Sequence, residues 1–358
     1  MSIFTHDEFD GHEEVAFCYD GASGLRAIIA IHDTTLGPAL GGCRMWPYAD
    51  EAAALTDVLR LSKGMSYKSA LAGLALGGGK SVIIGDGRKM KSEALFRAMG
   101  RFVESMGGRY IAAEDVGVGV TDVQQMAKET DHVAGIPEKG SGDPSPATAY
   151  GVFVALETAV ALHYGRSDLK GCRVAIQGLG AVGYQLAERL AAAGAELLVS
   201  DIHPEPVARA VEVLGARAVA PEAIYSQAAD VFAPCALGAV LNDATIPQLK
   251  AEVIVGSANN QLAEPRHGQL LAAAGKLYAP DYLVNAGGVI NISHEVIGGS
   301  GGPAYERARA FSHVARIGAT LREVVRLAEA EQIPSSEAAD RLAERRLRAG
   351  AKDSSVAA

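Results

Sequence analysis

Cysteine is scarce in this chain, with four in 358 residues. Cys18, Cys43, Cys172 and Cys235 stand far apart and form no CxxC pair, so neither a zinc site nor a disulfide framework is expected, and a reducing, cytoplasmic setting fits best. Excess positive charge is also missing. Lys and Arg number 33 against 42 Asp and Glu, a formal net charge of -9. That balance argues against a general nucleic-acid or anionic-membrane surface, since both reward clustered cations. Small anionic substrates stay open, because a local cluster can override the global sign. No apolar run approaches the ~20 residues of a membrane span, and the acidic start MSIFTHDEFDGHEE lacks the basic-then-apolar order of a signal peptide. The nine histidines include no HExxH, and no metal site is expected. What remains is an ordinary globular composition, 49% hydrophobic and 21% charged, in a chain long enough for two domains.

The first part of the chain alternates strand-like runs (RAIIAIHD, KSVIIGD, GRYIAAED) with helical ones such as EAAALTDVLRLSKGM, as an α/β domain does. A turn-rich segment, GIPEKGSGDPSPAT, then breaks the periodicity and reads as the approach to a hinge. Beyond it, helix and strand alternate through GCRVAIQGLGAVGYQLAERLAAAGAELLVSDI, ADVFAPCA, AEVIVGSA and KLYAPDYLV, the pattern of a parallel doubly wound sheet. The expected organisation is an N-terminal α/β domain over residues 1–145 and a doubly wound α/β domain over 146–330. From about Pro303 the sequence is helical, and AKDSSVAA reads as a frayed tail.

The most specific local signal is GxGxxG at Gly178, Gly180 and Gly183, directly after RVAIQ and before AVGYQLAERLAAAG. Its glycines let backbone approach a pyrophosphate, and the helix start at Ala181 and Val182 supplies amide donors and partial positive charge. The next strand ends on Asp201, placed to accept both hydroxyls of an adenosine ribose. Ile202, His203 and Pro204 bring no cation for a 2'-phosphate, so NAD is expected over NADP. The plain alternative is a tight strand-to-helix turn without a ligand.

KGMSYKSALAGLALGGGKSVIIGD sets Lys68 and Lys80 among glycine, alanine and leucine, with no carboxylate until Asp86. The stretch ends like a phosphate-binding loop, but Leu74 stands where that motif needs glycine, and SVIIGD reads as a strand instead of a helix. In a nicotinamide enzyme, a hydroxy-acid substrate calls for histidine, whereas an amine, an imine and water suit lysine. Desolvation and a neighbouring ammonium disfavour a lysine's charged form, which lets one of the two act as a base while the other holds a substrate carboxylate. Two lysines snorkelling from a surface loop is the blander reading.

Taken in order, GPALGGCRM, the two-lysine stretch, YIAAEDVG, VAIQGLGAVG, DVFAPCALGAVLN, GSANNQL and PDYLVNAGGVIN resemble the leucine, phenylalanine and valine dehydrogenases, a branch of the glutamate dehydrogenase superfamily. The resemblance runs from about Gly11 to Arg346 and lies closest to the leucine enzymes. It implies NAD-dependent reversible oxidative deamination of an apolar L-amino acid to the 2-oxo acid and ammonia, by a homo-oligomer of two to eight subunits. It also implies that the first domain, 1–145, is the substrate domain, that the second, 146–330, is a Rossmann-type NAD-binding domain with a cleft between them, and that the final helices, about 330–358 here, return to the first domain. By the same resemblance Lys68 holds the substrate α-carboxylate, Lys80 is the catalytic lysine and Asp115 the proton-transfer carboxylate. On the residues alone, Lys80 precedes one strand and Asp115 follows another, so an antiparallel pair is required to bring them together. The resemblance further implies that Asn285 contacts the carboxylate and that Gly41 and Gly42 lie against the substrate. Leu40, Ala113, Val289 and Ile292 line the side-chain pocket, and Thr148, Ala236, Asn259 and Asn260 surround the nicotinamide and its ribose. Leu40 stands where glutamate-specific relatives carry a lysine, which favours aliphatic substrates. The same reaction on an aromatic amino acid is the alternative within the family, and a non-catalytic nucleotide sensor the alternative outside it. Two stretches depart from the pattern: Val118 and Gly119 replace threonines, and ISHEVIGGSGGP replaces a segment with an alanine-aspartate pair and a tyrosine.

Overall fold

A computed structural model describes residues 3–299 and 301–356; Ser300 of the GGSGGP stretch and the last two residues of AKDSSVAA lie outside them. The chain packs as two compact units, one of Met1–Gly142, Ile292–Tyr305 and Ala343–Ala358, the other of Asp143–Asn291 and Glu306–Leu342. The first unit thus takes back a middle segment that the sequence reading left in the second, and the C-terminal return begins at Ala343 instead of near 330. The reason is polar: buried Glu295 accepts the N–H groups of Gly135 at 3.0 Å and Ser141 at 3.2 Å. Tyr67 donates to Glu344 at 3.1 Å, and Arg346 to the Leu71 carbonyl at 2.8 Å.

The first unit runs β1 (Glu14–Asp20), β2 (Leu25–Asp33), β3 (Ala39–Trp46), α1 (Glu51–Ala72), β4 (Gly77–Ile84), α2 (Glu93–Glu104), β5 (Tyr110–Ala113) and α3 (Val120–Met126). Its sheet has the order β1-β2-β4-β3-β5, with β2 antiparallel to β1 and β4, and β3 parallel to β4 and β5. Side chains alternate between the faces of a strand. Ala39, Cys43, Met45, Ile83, Tyr110 and Ala112 therefore enter one core with Phe96, Met99 and Phe102 of α2. The other face carries Leu40, Gly42 and Arg44, with Gly78, Lys80 and Val82 in register beside them.

Helix α1 covers that second face. Asp50 caps it by accepting the Ala53 N–H at 2.8 Å, and Gly73, left-handed at φ 65, ends it. The helix runs past the KGM at which the sequence pattern faded, so Lys68 is helical. Its buried stripe changes from Ala54, Val58 and Leu59 to Ser62, Ser66 and Ser69 as it nears the glycines of β4. A Cβ on Gly78 would lie 2.0 Å from the Ser66 nitrogen, so only glycine permits this approach. Two buried histidines secure the serines: His12 Nε2 lies 3.0 Å from Ser62 Oγ, and His32 Nδ1 2.8 Å from Ser66 Oγ.

The second unit contains α4 (Ser145–Tyr164), β6 (Arg173–Gln177), α5 (Ala181–Ala192), β7 (Glu196–Ser200), α6 (Pro204–Leu214), β8 (Arg217–Ala218), β9 (Val231–Pro234), β10 (Val253–Ile254), α7 (Arg266–Ala273), β11 (Leu277–Tyr278) and α8 (Asp281–Val284). Next come α9 (Gly287–Gly299), which passes into the first unit, α10 (Arg307–Val314), α11 (Ile317–Glu331) and α12 (Ser335–Val356). The tail expected to fray is helical to Val356. By length and composition α4 could cross a membrane, contrary to the reading that no such run exists, but it packs here against α5 and α11 with Tyr150 stacked on Phe311. The sheet is parallel throughout, in the order β11-β10-β9-β6-β7-β8. Chain order reverses between β6 and β9, and a ligand crevice is expected beyond the carboxyl ends of those strands.

Candidate active site

Lys80 sits inside β4, with its Nζ 2.7 Å from Asp115 Oδ2. The antiparallel arrangement expected from sequence is not what brings them together: β3 lies between β4 and β5, and all three run parallel. Asp115 instead reaches across β3 at Gly42. A Cβ on Gly42 would lie 2.7 Å from both the Asp115 Cβ and the Glu114 carbonyl oxygen, so the missing side chain is what opens the crossing. A tight turn holds Asp115 in place, with the Val118 N–H donating to its carbonyl at 2.9 Å. Val118, one of the departures, is a core residue behind that turn.

Burial opposes ionisation of Asp115, but the charges of Lys80 and Arg44 outweigh it and hold the carboxyl down at about 2. Arg44 had no place in the sequence reading. Its Nε lies 3.0 Å from the same Oδ2 that Lys80 uses, and its Nη1 2.9 Å from Asp57 on α1. The alternation of β3 could have exposed it, since Leu40, Gly42 and Arg44 share a face. Burial works against the Arg44 charge too, yet Asp115 and Asp57 prevail and raise its pKa.

Leu40, 2% exposed, and Ala113, 6% exposed, lie on the Lys80 face of the sheet. Gly41 faces the opposite core, and its carbonyl accepts the Tyr110 hydroxyl at 2.7 Å. Lys68 is half-buried on α1, two residues past the serine that rests on Gly78. Ile292 is buried with its Cδ1 3.6 Å from where a Cβ of Gly135 would be. Val289 and Asn285 fall in the second unit. Asn285 Nδ2 donates to Asn259 Oδ1 at 2.7 Å and to the Ser257 carbonyl at 3.2 Å, while its Oδ1 is buried without a hydrogen-bond partner among the described residues.

The second unit builds a dinucleotide cradle at the strand-order reversal. A Cβ on Gly183 would lie 2.1 Å from the Gly178 carbonyl oxygen, and one on Gly178 would lie 2.7 Å from Ala236 Cβ. Gly178 itself is left-handed at φ 97. Gly180 caps α5, whose first amides, at Ala181, Val182 and Gly183, have no acceptor within the helix. Ala236, Asn259 and Asn260 are exposed at the carboxyl ends of neighbouring strands, and Thr148 is half-buried in the first turn of α4 with its hydroxyl on the Pro144 carbonyl at 3.0 Å. Asp201 has a task the sequence did not reveal: its Oδ2 accepts the Leu179 N–H of the glycine loop at 2.6 Å, and Oδ1 accepts His203 N–H at 2.9 Å. A carboxylate has further lone pairs for ribose hydroxyls. Glycine backbone, helix start and acid together fit NAD.

A buried lysine-carboxylate pair in one unit and a dinucleotide cradle in the other define a dinucleotide-dependent oxidoreductase. Residues 12–132 match the Glu/Leu/Phe/Val dehydrogenase dimerisation domain, and residues 140–204 and 205–353 match Glutamate/Leucine/Phenylalanine/Valine dehydrogenase. The chain is 55% identical over 349 residues to leucine dehydrogenase of Geobacillus stearothermophilus, spanning 97% of this chain and 94% of that one. It is 49% identical over 360 residues to phenylalanine dehydrogenase of Bacillus thermotolerans, spanning 98% and 93%. The crystal structure of L-tryptophan dehydrogenase from Nostoc punctiforme superposes with a TM-score of 0.83 at 44% identity, over 95% of this chain and 97% of that one. The chain belongs to the Glu/Leu/Phe/Val dehydrogenase family, and it is an NAD-dependent amino-acid dehydrogenase.

Proposed function

We propose that the chain catalyses reversible oxidative deamination of leucine and other branched aliphatic L-amino acids to the 2-oxo acid, ammonia and NADH. The observation that carries this reading is the Lys80–Asp115 pair at 2.7 Å on the same sheet face as Leu40 and Ala113. Bound NAD supplies the acceptor for the substrate's α-hydrogen. Lys68 holds the α-carboxylate. Once the amine has been oxidised to an imine, Lys80 takes a proton from water as it adds to the imine carbon. Asp115 and Lys80 then pass a proton to the amine nitrogen, and as the C–N bond breaks the new hydroxyl gives its proton to Lys80, leaving ammonia and the 2-oxo acid.

Leu40, with Ala113 and Ile292, makes the side-chain pocket aliphatic. A distal carboxylate buried there has no counter-ion from Leu40, and desolvating it costs several kcal/mol, enough to exclude glutamate by orders of magnitude. One methylene is worth only ~1 to 3 kcal/mol, so preference among aliphatic substrates is shallow. Phenylalanine is the second candidate, favoured by the 49% identity to a phenylalanine dehydrogenase. The dimerisation-domain match supports a homo-oligomer, which we place in the cytoplasm without nucleic-acid or membrane partners. The test is kcat/KM for leucine, phenylalanine and glutamate in the wild type and in Leu40→Lys. Leucine should lead in the wild type, and the variant should gain glutamate activity relative to leucine. Appreciable wild-type glutamate turnover, or a variant with unchanged ranking, contradicts the pocket assignment.

A further inference from the structure

Lys80 and Asp115 do not stand alone. Asp115 Oδ2 takes Lys80 Nζ at 2.7 Å and Arg44 Nε at 3.0 Å, so two cations share one oxygen. Arg44 Nη1 continues to Asp57 Oδ2 at 2.9 Å, where the Tyr48 hydroxyl also donates at 2.6 Å. Arg60 closes the far end, 3.6 Å from the other Asp57 oxygen. The result is an alternating row, Lys80, Asp115, Arg44, Asp57, whose members come from β4, the turn after β5, β3 and α1. The functional reading uses only its first two.

A lone carboxylate 2.7 Å from the base has an unhelpful effect. It favours the ammonium form of lysine, which cannot take a proton from water. A guanidinium on the same oxygen offsets that pull, and because it stays charged at any working pH it does so permanently. Its planar fork can also grip Asp115 and Asp57 at once, which fixes the direction of the Asp115 carboxylate. Asp57 in turn takes up part of the Arg44 charge on the side away from Lys80.

We propose that Arg44, held by Asp57, is a positioning residue that aims Asp115 at Lys80 and weakens the carboxylate's hold on the lysine proton, so that this row sets the pH at which the enzyme becomes active. The proposal rests on the reading of Lys80 as the base. Other titratable groups on the elements around the row include His32 on β2, buried and held neutral to about 4, mainly by burial, Cys43 on β3 and Tyr110 on β5, both held protonated mainly by burial, Lys63 and Lys68 on α1, and Glu114 beside Asp115. The substitutions below leave all of them in place.

The experiment is the pH profile of kcat/KM for leucine oxidation in the wild type, Arg44→Met, Arg44→Lys and Asp57→Asn, with Lys80→Ala alongside and NADH binding followed by fluorescence. Removing the Arg44 charge should move the acid limb to higher pH by about one unit, a tenfold loss at fixed pH below the limb that is recovered in part at alkaline pH. Asp57→Asn should move the limb the opposite way, because Arg44 then bears undivided on Asp115. Arg44→Lys should keep the limb near its wild-type position with a lower plateau, since one ammonium cannot bridge both carboxylates. NADH binding should be unchanged in all. A limb that stays put in Asp57→Asn and in whichever Arg44 variant folds, with activity lost evenly at every pH, overturns the proposal and leaves Lys80 as the base. Activity retained in Lys80→Ala overturns the underlying reading instead.

Discussion

The two units build their sites from different materials. In the first, the candidate site is made of buried side chains: Lys80 is 5% exposed, and its partner Asp115 is shared with Arg44. In the second, the cradle is mostly backbone, with glycines admitting close approach and exposed Ala236, Asn259 and Asn260 along the rim. A site made of charges in low dielectric depends on each group's identity, because every member sets the ionisation of the next. A site made of main chain depends on shape, and only a few positions in it tolerate no change.

The sharpest way to break the comparison is Gly42→Ala. Its Cβ would collide with Asp115 and with the Glu114 carbonyl, both at 2.7 Å. Displacing Asp115 from Lys80 should cost ~10^2-fold or more in kcat, the scale of a lost acid-base partner, with NADH affinity kept. Steady-state kinetics and fluorescence titration check this, and a fully active variant would mean that Asp115 does not need to cross β3 there. Asp201→Ala should have a smaller effect of the opposite kind. It removes a ribose acceptor and also the anchor of the Leu179 N–H, so NAD affinity should fall by ~10- to 100-fold with kcat little changed. Loss of the repulsive charge should also narrow the gap to NADP. An unchanged cofactor ranking contradicts the assignment.

The last effect concerns stability, and it shows only in acid. Burial, and then the neighbouring His12, hold His32 at about 4 against an ordinary 6.5. Between those values the unfolded chain binds a proton that the folded chain refuses, so stability falls as pH drops from 6.5 to 4 and this contribution then levels off. The loss is up to ~3 kcal/mol, and His32→Gln, which cannot titrate, should flatten that part of the curve. Asp115 acts lower: its carboxyl is held at about 2 against 3.8, so its contribution is complete above 3.8 and is lost as pH falls through about 2. Urea midpoints across this range separate the two, and a His32→Gln curve as steep as the wild type's would show that His32 is not the titrating group.

Strands, helices and the glycine loop were legible because their signals are local: RVAIQGLGAVG is β6, turn and α5 in order, and SVIIGD lies on a strand as its β-branched residues require. Lys80 and Asp115 were legible as residues but not in their arrangement. Their meeting depends on Gly42, on a third strand, and on β3 lying between β4 and β5, none of which a one-dimensional pattern carries. The continuation of α1 through Lys68 was hidden because its buried stripe turns to serine, which no hydrophobic period reports. Arg44, Asp57 and Glu295 were missed for a related reason. Arg44 meets Asp115, and Glu295 meets Gly135, far along the chain, while Asp57 meets Arg44 across two different elements, and a charged residue in sequence reads as solvated until the partner is seen.

The central claim, that Lys80 of the first unit is the base and the second unit holds the dinucleotide, is tested most directly by one pair of measurements on Lys80→Ala. These are NADH formation from leucine and NAD, followed by absorbance, and NADH binding, followed by fluorescence. Turnover should fall by ~10^2 to 10^4 while binding stays at the wild-type level. Near-normal turnover contradicts the mechanism, and lost NADH binding contradicts the division of labour between the two units.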